Sequence, residues 1–398
     1  MAGALDGIRV LELGRFVACP FCGMLLADLG AEVIRVERST GGEDRFLGLP
    51  TPNSKDSYTF VNQNRNKKAI SLNFERNDKA KEILNELVKR SDVVTENFSP
   101  EAAKAMGITY DNFKTIKPDI IFAHISGFGS TGPYSHRIGF DMVAKAMSGS
   151  MAISGFPGDP CRDQIYYIDY STACLTTVGV LAALYHRQRT GQGQMINTAL
   201  LQTAVTYMAP YIGEWETGKR LRKQVGNRGY WVGPCDLYKT KDGRWVMLAI
   251  ITNSIWRRFC KFIGREDLAT GPKFHNDLAR WEHRDIIDPI VSQWVASQTA
   301  EEVIATAEKI PIPCGICYKH TEVAHDPQVK ALEMLTEVPS PDGSSKVLVT
   351  GPPLRMSETP PKIERSFPAI GQYNEEIYCG LLGYSHEDLV KLKEEGAI

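Results

Sequence analysis

Residues 7–38 read GIRVLELGRFVACPFCGMLLADLGAEVIRVER. The run Ile8-Arg9-Val10-Leu11-Glu12-Leu13 reads as a strand, and an apolar helix follows around Cys22 to Leu29, stopping at Gly30. Ala31 to Glu37 (AEVIRVE) is a second strand. Two strands joined by a helix form the unit from which parallel sheets are wound. The pattern continues: Asn77 to Arg90 (NDKAKEILNELVKR) places Ile83, Leu84, Leu87 and Val88 on one helical face, and strands follow at Asp92 to Thr95 and Asp119 to Ile125. The first 200 or so residues thus predict an α/β domain on a mostly parallel sheet.

The texture changes around residue 220. Asp236 to Ile250 (DLYKTKDGRWVMLAI) predicts a β-hairpin with Lys-Asp-Gly at its turn. Helical segments follow at Ser254 to Ile263 and Thr299 to Lys309. Past about residue 340 the chain is rich in Pro and Gly (VPSPDGSSK, TGPPL, ETPPK), which predicts a linker over the surface. A last helix, Ser385 to Glu395, closes the chain.

At 398 residues the chain exceeds what one core usually serves, so two domains are expected. Lys plus Arg number 46 against 47 Asp plus Glu, and a net charge of −1 argues against a general nucleic-acid or membrane-surface binder. It leaves room for a local cluster of cations at a ligand site. The 43% apolar and 23% charged fractions are those of a globular protein. Nine cysteines, an odd number spread over a long chain, do not form a secreted disulfide framework. The start, MAGALDGIRVLELG, lacks the look of a secretory leader, and the longest apolar stretch, about Ala173 to Tyr185, reads as too short and too rich in Thr to cross a bilayer. The expected setting is a reducing cytoplasm, with no membrane and no nucleic acid as partners.

Gly127-Phe128-Gly129-Ser130-Thr131-Gly132 has GxGxxG spacing after a strand, but no apolar helical run follows Pro133, so a dinucleotide site is disfavoured. Cys19-Pro20-Phe21-Cys22 and Cys314-Gly315-Ile316-Cys317 have CxxC spacing. They lie too far apart in sequence for a zinc ribbon, and small apolar packing outweighs redox chemistry for the first pair. The eight histidines form no HExxH or similar spacing, and no G-x-S-x-G elbow or Walker A loop occurs, so no metal is expected. Asp169, in Tyr166-Tyr167-Ile168-Asp169-Tyr170-Ser171-Thr172, leads into a helix apolar on nearly all sides and expected to be buried. By position it reads first as an N-cap, its oxygen accepting from the amides of the first turn. A helix N-terminus at the edge of a buried region also stabilises a carboxylate and any oxyanion that forms beside it.

Seven segments in order resemble the class III CoA-transferases, the family of formyl-CoA and carnitine CoA-transferases. They are residues 7–38, NRNKKAISLNF (64–74), DVVTENFSPEAAKAMGI (92–108), HISGFGSTGPYSHRIGFD (124–141), IDYSTACLTTVGVLAALYHRQRTGQGQ (168–194), GPCDLYKTKDGRWVML (233–248) and IPCGICYKHTEVAHDPQV (312–329). The resemblance implies an aspartate nucleophile, matched by Asp169. It implies that CoA arrives as an acyl thioester substrate, with no tightly bound cofactor, and that the acceptor is a carboxylic acid. Transfer would pass through an aspartyl anhydride and an aspartyl-CoA thioester. Val17 and Ala18 match CoA contacts in the first strand–helix loop. Arg38 matches a contact to the adenine or its phosphates, and Leu72, Asn97 and Phe98 match positions lining the same groove. Arg137 matches a basic position beside the active site, and Lys104 stands next to another. Gly226-Asn227-Arg228-Gly229 is the nearest match to the family's closing loop.

The resemblance further implies a Rossmann-like large CoA-binding domain over 1–220 and a smaller α+β domain over 225–330. Residues 331–398 would be the linker and C-terminal return, and two chains would interlock as a homodimer. Racemases of the family carry His-Asp where this chain has Phe140-Asp141, which favours transfer over α-proton exchange. Asp141 would orient substrate, assist, or cap a helix. The Gly139-Phe140-Asp141 pattern resembles enzymes of 2-hydroxy acids and their 2-enoyl counterparts. The alternatives are proton transfer of the α-methylacyl-CoA racemase type and a non-catalytic CoA-binding protein.

Overall fold

The computed structural model describes residues 3–52 and 54–398, in two compact units. One runs to Ser148 and takes in Gln164–Gly213 and Pro327–Ile398; the other is Gly149–Asp163 with Glu214–Asp326. The boundaries differ from the expected 1–220 and 225–330, because residues 149–163 pack with the second unit and the return begins at Pro327.

The first unit is built on six parallel strands: β1 (Arg9–Glu12), β2 (Glu32–Glu37), β3 (Lys68–Ser71), β4 (Val93–Glu96), β5 (Ile121–Ser126) and β6 (Met195–Ala199). Their order is β3-β2-β1-β4-β5-β6. Side chains alternate across the sheet, so Val10, Val33 and Val93 enter one core with Cys22, Leu26, Ala173 and Val180. Leu11, Ile34 and Val94 enter the other with Ile83, Leu87 and Phe122. Both faces are covered, which is why these strands read as nearly continuous apolar runs. The order reverses between β1 and β4. At such a switch point the loops leaving the carboxyl ends of the strands diverge and open a crevice.

The predicted helix at Asn77 to Arg90 is Asp78–Lys89, with the Asn77 side chain accepting from the Ala80 amide. The first helix, expected from Cys22, starts earlier and spans Ala18–Asp28. Pro20 falls in its first turn, where its missing N–H breaks no helical bond. Cys19 and Cys22 are fully buried, and burial pushes the Cys22 thiol up to about 12. That is the setting of a packing residue and not of a reactive thiolate.

Charged side chains fix the loop ends beneath the crevice. Lys67 Nζ donates to both Glu12 oxygens at 2.8 Å, to the Pro20 carbonyl at 2.8 Å and to Asn64 Oδ1 at 2.9 Å, all buried. Arg35 forks onto both oxygens of Asp44 at 2.8 Å. Gly23 makes room for this cluster: a Cβ there would lie 1.8 Å from Glu12 Oε2.

Part of the expected surface linker is ordered as an antiparallel hairpin, β10 (Leu335–Pro339) and β11 (Lys346–Thr350). The turn sequence Pro341-Asp342-Gly343-Ser344 explains it: Asp342 Oδ1 accepts from Ser340 Oγ and the Ser344 amide, and Gly343 takes φ +71°. Asn66 then ties the returning chain down. Its Nδ2 donates to Asp28 Oδ1 and the Lys362 carbonyl, and its Oδ1 accepts from the Glu364 and Arg365 amides. Tyr378, Leu392 and Ile398 complete the core, and Ser385 caps the last helix, His386–Glu394.

The second unit holds β7 (Cys235–Lys239), β8 (Trp245–Ala249) and β9 (Cys314–Ile316), antiparallel in that order. The predicted hairpin is β7–β8, and Gly243 in its turn has φ +80°. Helices Asn253–Phe262 and Ala300–Lys309 match expectation and bury Trp256, Phe259 and Val303 against the strands.

Candidate active site

A cavity of about 310 Å³ opens at the carboxyl ends of the central strands. The loop after β1 gives it Arg15, Phe16, Val17 and Ala18; the loop after β4 gives Asn97 and Phe98. Gly127, Arg137 and Phe140 come from the segment after β5, Leu200 follows β6, and Asp169 completes the wall. The switch point of the sheet therefore gathers Val17, Ala18, Asn97, Phe98, Arg137 and Asp169, residues as far apart as 17 and 169 in sequence.

Asn97 shapes the first loop. Its Oδ1 accepts the Arg15 N–H at 2.8 Å and its Nδ2 donates to the Arg15 carbonyl at 2.7 Å, so the side chain pairs like a strand. Gly14 must be glycine, since a Cβ would lie 2.3 Å from Cys19 Sγ and 2.8 Å from Asn97 Oδ1. The next turn puts Phe16 at φ +68°, a region non-glycine residues rarely enter, and its ring meets Phe140 edge-on at 5.7 Å. The glycine-rich loop has a packing use. A Cβ on Gly127 would lie 2.7 Å from Gly139 Cα, so two segments of the loop cross where neither has a side chain.

Asp169 lies in the first turn of the helix Tyr167–Thr190 and is 9% exposed. The expectation that it is itself the N-cap is overturned. Asp141, at the start of the helix Asp141–Ser148, supplies the cap: its Oδ2 accepts the Ile168 amide at 2.9 Å and the Asp169 amide at 3.4 Å. Lys145 Nζ pairs with Asp141 Oδ1 at 2.8 Å, sits 4.0 Å above the Tyr167 ring and donates to the Ile165 carbonyl. With its cap supplied from outside, the Asp169 carboxylate is left to face the cavity. Burial, then the negative charge of Asp141, push the Asp169 carboxyl up to about 7, against the opposing pull of Lys145.

The helix carrying Asp169 is not buried on all sides, as its composition led us to expect. Thr172, Ala173, Thr176, Thr177 and Val180 face inward, while Leu175, Val178 and Tyr185 are exposed. At 24 residues it is long and apolar enough to cross a membrane, contrary to the shorter estimate, but its inner face belongs to the core of the sheet. The buried threonines turn their hydroxyls to carbonyls one turn back, as Thr172 does to Ile168.

Other expected positions fall elsewhere. Leu72, just past β3, is fully buried in the core and is not among the residues lining the Asp169 cavity. Lys104 is exposed on the helix Pro100–Met106 and is not among the cavity residues. Arg38 lines a neighbouring cavity with Asn73 and Arg76, and is held by Glu43 at 3.0 Å and by Glu75. Gly226 and Gly229 belong to the second unit, where the Gly226 amide donates to the Gly155 carbonyl and that of Gly229 to Cys235.

Arg15 went unnoticed in the sequence. It lines the Asp169 cavity and pairs with the same Glu43 and Glu75 that hold Arg38. Its signal was available, a cation directly after a strand end in a strand–helix loop. Glu96 was also missed. Buried below Phe98, it accepts the Phe98 amide at 2.8 Å and bonds His124 Nδ1.

The fold and this cavity define an α/β protein of the doubly wound class, with a cavity at the switch point of its parallel sheet. The sequence description of CoA-transferase family III matches residues 5–374. The chain is 35% identical to a succinyl-CoA–D-citramalate CoA-transferase of Chloroflexus aurantiacus, over 99% of this chain and 98% of that protein. It is 34% identical to a formyl-CoA:oxalate CoA-transferase of Streptomyces coelicolor, over the whole length of both. A crystal structure of a CAIB/BAIF family protein from Brucella suis superposes with a TM-score of 0.83 at 29% identity, covering 96% of this chain and 100% of that one. The chain belongs to CoA-transferase family III. It is an acyl-CoA:carboxylate CoA-transferase, with a CoA thioester and a carboxylic acid as substrates.

Proposed function

We propose that Asp169 is the nucleophile of this transfer. The observation that carries the reading is its carboxylate in the cavity wall, shielded from water and raised to about 7. A carboxylate hydrated in bulk water is a weak nucleophile; one held in a low-dielectric wall beside a second negative charge is more basic and more reactive.

In the proposed sequence an Asp169 oxygen attacks the thioester carbonyl and the C–S bond breaks, giving a mixed anhydride and CoA thiolate. The thiolate then attacks the Asp169 carbonyl carbon, forming an aspartyl-CoA thioester and releasing the donor acid as carboxylate. The acceptor carboxylate attacks that thioester, and the returning thiolate takes the new acyl group, restoring Asp169. No net proton is consumed. Asp141 is a positioning residue here: it fixes the first turn of the helix and tunes the basicity of its neighbour.

Val17, Ala18, Asn97, Phe98, Arg15 and Arg137 would border the CoA thioester, with Arg38 beyond the Glu43–Glu75 pair toward the nucleotide. The acids we propose are short or medium 2-hydroxy acids and their 2-enoyl counterparts. The exposed Leu175, Val178 and Tyr185 favour an interlocked homodimer that covers them, and the free cysteines suit a cytoplasmic enzyme.

The test is Asp169→Ala, assayed with acyl-CoA donors and acid acceptors by mass spectrometry, in deuterated water. Transfer should vanish while CoA still binds. Turnover by the variant would overturn the mechanism, and α-proton exchange without transfer in the native enzyme would favour a racemase.

A further inference from the structure

Glu96 ends β4 and stands directly opposite His124 of β5 in the parallel register, and both side chains are buried. No lysine or arginine among the described residues pairs with the Glu96 carboxylate. Two N–H donors hold it instead: the Phe98 amide on Oε2 at 2.8 Å, and His124 Nδ1 on Oε1. With Glu96 ionised the ring proton lies on Nδ1, and the enclosed His124 Nε2 has no partner among the described residues. Two apolar side chains at these facing positions would avoid burying a carboxylate and an unpaired ring nitrogen, so as packing alone the pair is costly. What it supplies, and an apolar pair cannot, is an acceptor for the Phe98 N–H.

That N–H lies where β4 runs out toward the Asp169 cavity. By accepting the amide two residues ahead, Glu96 fixes the chain on either side of Asn97. Asn97 in turn pairs with both backbone groups of Arg15, at 2.8 and 2.7 Å. The Phe98 ring lies 5.7 Å from the Arg15 guanidinium carbon and meets Phe74 edge-on at 6.3 Å. Arg15, Asn97 and Phe98 line the cavity; Glu96 and His124 do not. The pair thus stands one step behind the wall: Glu96 holds the Asn97–Phe98 turn, and Asn97 holds Arg15.

We propose that Glu96 and His124 are positioning residues for CoA, His124 steadying the carboxylate that fixes the loop beside the thioester. The proposal rests on the CoA thioester lying along Asn97 and Phe98, and is independent of which residue attacks it.

The test titrates the full-length enzyme with CoA in a calorimeter and follows each variant's unfolding in urea. Glu96→Leu combined with His124→Leu removes the acceptor and the buried charge together, and should be about as stable as the native protein. Its Kd for CoA should still rise about tenfold, the worth of one hydrogen bond to a charged group. Glu96→Met, close in length but without an acceptor, should weaken CoA to the same degree, so the result does not hang on one variant folding. Glu96→Gln offers its carbonyl oxygen to the Phe98 amide and its NH2 to His124 Nδ1, and should stay within about threefold of native. Phe98→Ala should weaken CoA as well. If the double variant binds CoA as tightly as native while Phe98→Ala does not, the pair is packing only and the CoA placement stands. Glu96→Gln binding as weakly as the double variant would overturn the proposal too, as would an affinity that merely tracks stability across the series. If Phe98→Ala leaves CoA affinity unchanged, the placement fails and this proposal with it.

Discussion

Asp141 Oδ2 accepts the backbone N–H of Asp169 at 3.4 Å as well as that of Ile168, so one carboxylate caps the helix that carries the other. The two acids are thereby held close, and the charge of Asp141 adds to burial in raising Asp169 to about 7. Four expectations follow from this pair and from the packing around it.

With Asp169 as the proposed nucleophile its deprotonated form is the reactive one, so kcat/KM should fall as pH drops through about 7. Asp141→Asn keeps an oxygen for the Ile168 amide but removes the neighbouring charge, which leaves Lys145 unopposed. The acid limb should then move to lower pH. A pH–rate profile checks this, and a limb that stays in place or moves up would contradict it.

Asp169→Asn should be more stable than the native protein at pH 8. A group raised from 3.8 to about 7 binds its proton more tightly when folded, so native stability falls as pH rises from about 4 to 7. At about 1.4 kcal/mol per unit, the neutral amide recovers up to roughly 4 kcal/mol above pH 7. Urea unfolding at pH 8 and pH 5 should show a gain that narrows at the lower pH.

Lys67→Met should destabilise by about 3–5 kcal/mol, because it strips the buried Glu12 of its closest counter-charge. Adding Glu12→Leu should restore much of the loss. Chemical denaturation measures both, and a single variant within about 1 kcal/mol of native would refute the role given to this cluster.

Gly23→Ala and Gly213→Ala should act in opposite directions. The first drives a Cβ to 1.8 Å from a carboxylate that Lys67 holds in place, and overpacking of this kind costs about 1–3 kcal/mol or more. The second meets nothing within 4 Å in the helix Leu200–Glu216 and should stabilise by about 0.5–1 kcal/mol. Melting temperatures distinguish them.

The α/β class, the helices at Asp78–Lys89 and Ala300–Lys309 and the β7–β8 hairpin were legible in the sequence. Each is set by a local period of apolar residues with a turn or cap at its end, and that information lies within about 15 residues of chain. Asp169, Val17, Ala18, Asn97, Phe98 and Arg137 were legible one by one, through motifs that resemble a family. What the tertiary structure decided is how those positions are used. Leu72, just past the end of β3, packs into the core, and Arg38 pairs with Glu43 and Glu75. The Pro-rich tail acquired a hairpin because Asp342 and Gly343 close its turn. Above all, Asp169 was freed from capping because Asp141, 28 residues earlier, does that work instead. A sequence prints the residue that could cap a helix; only folding brings up a competitor from another helix and decides which carboxylate accepts the backbone amides and which is left in the cavity wall.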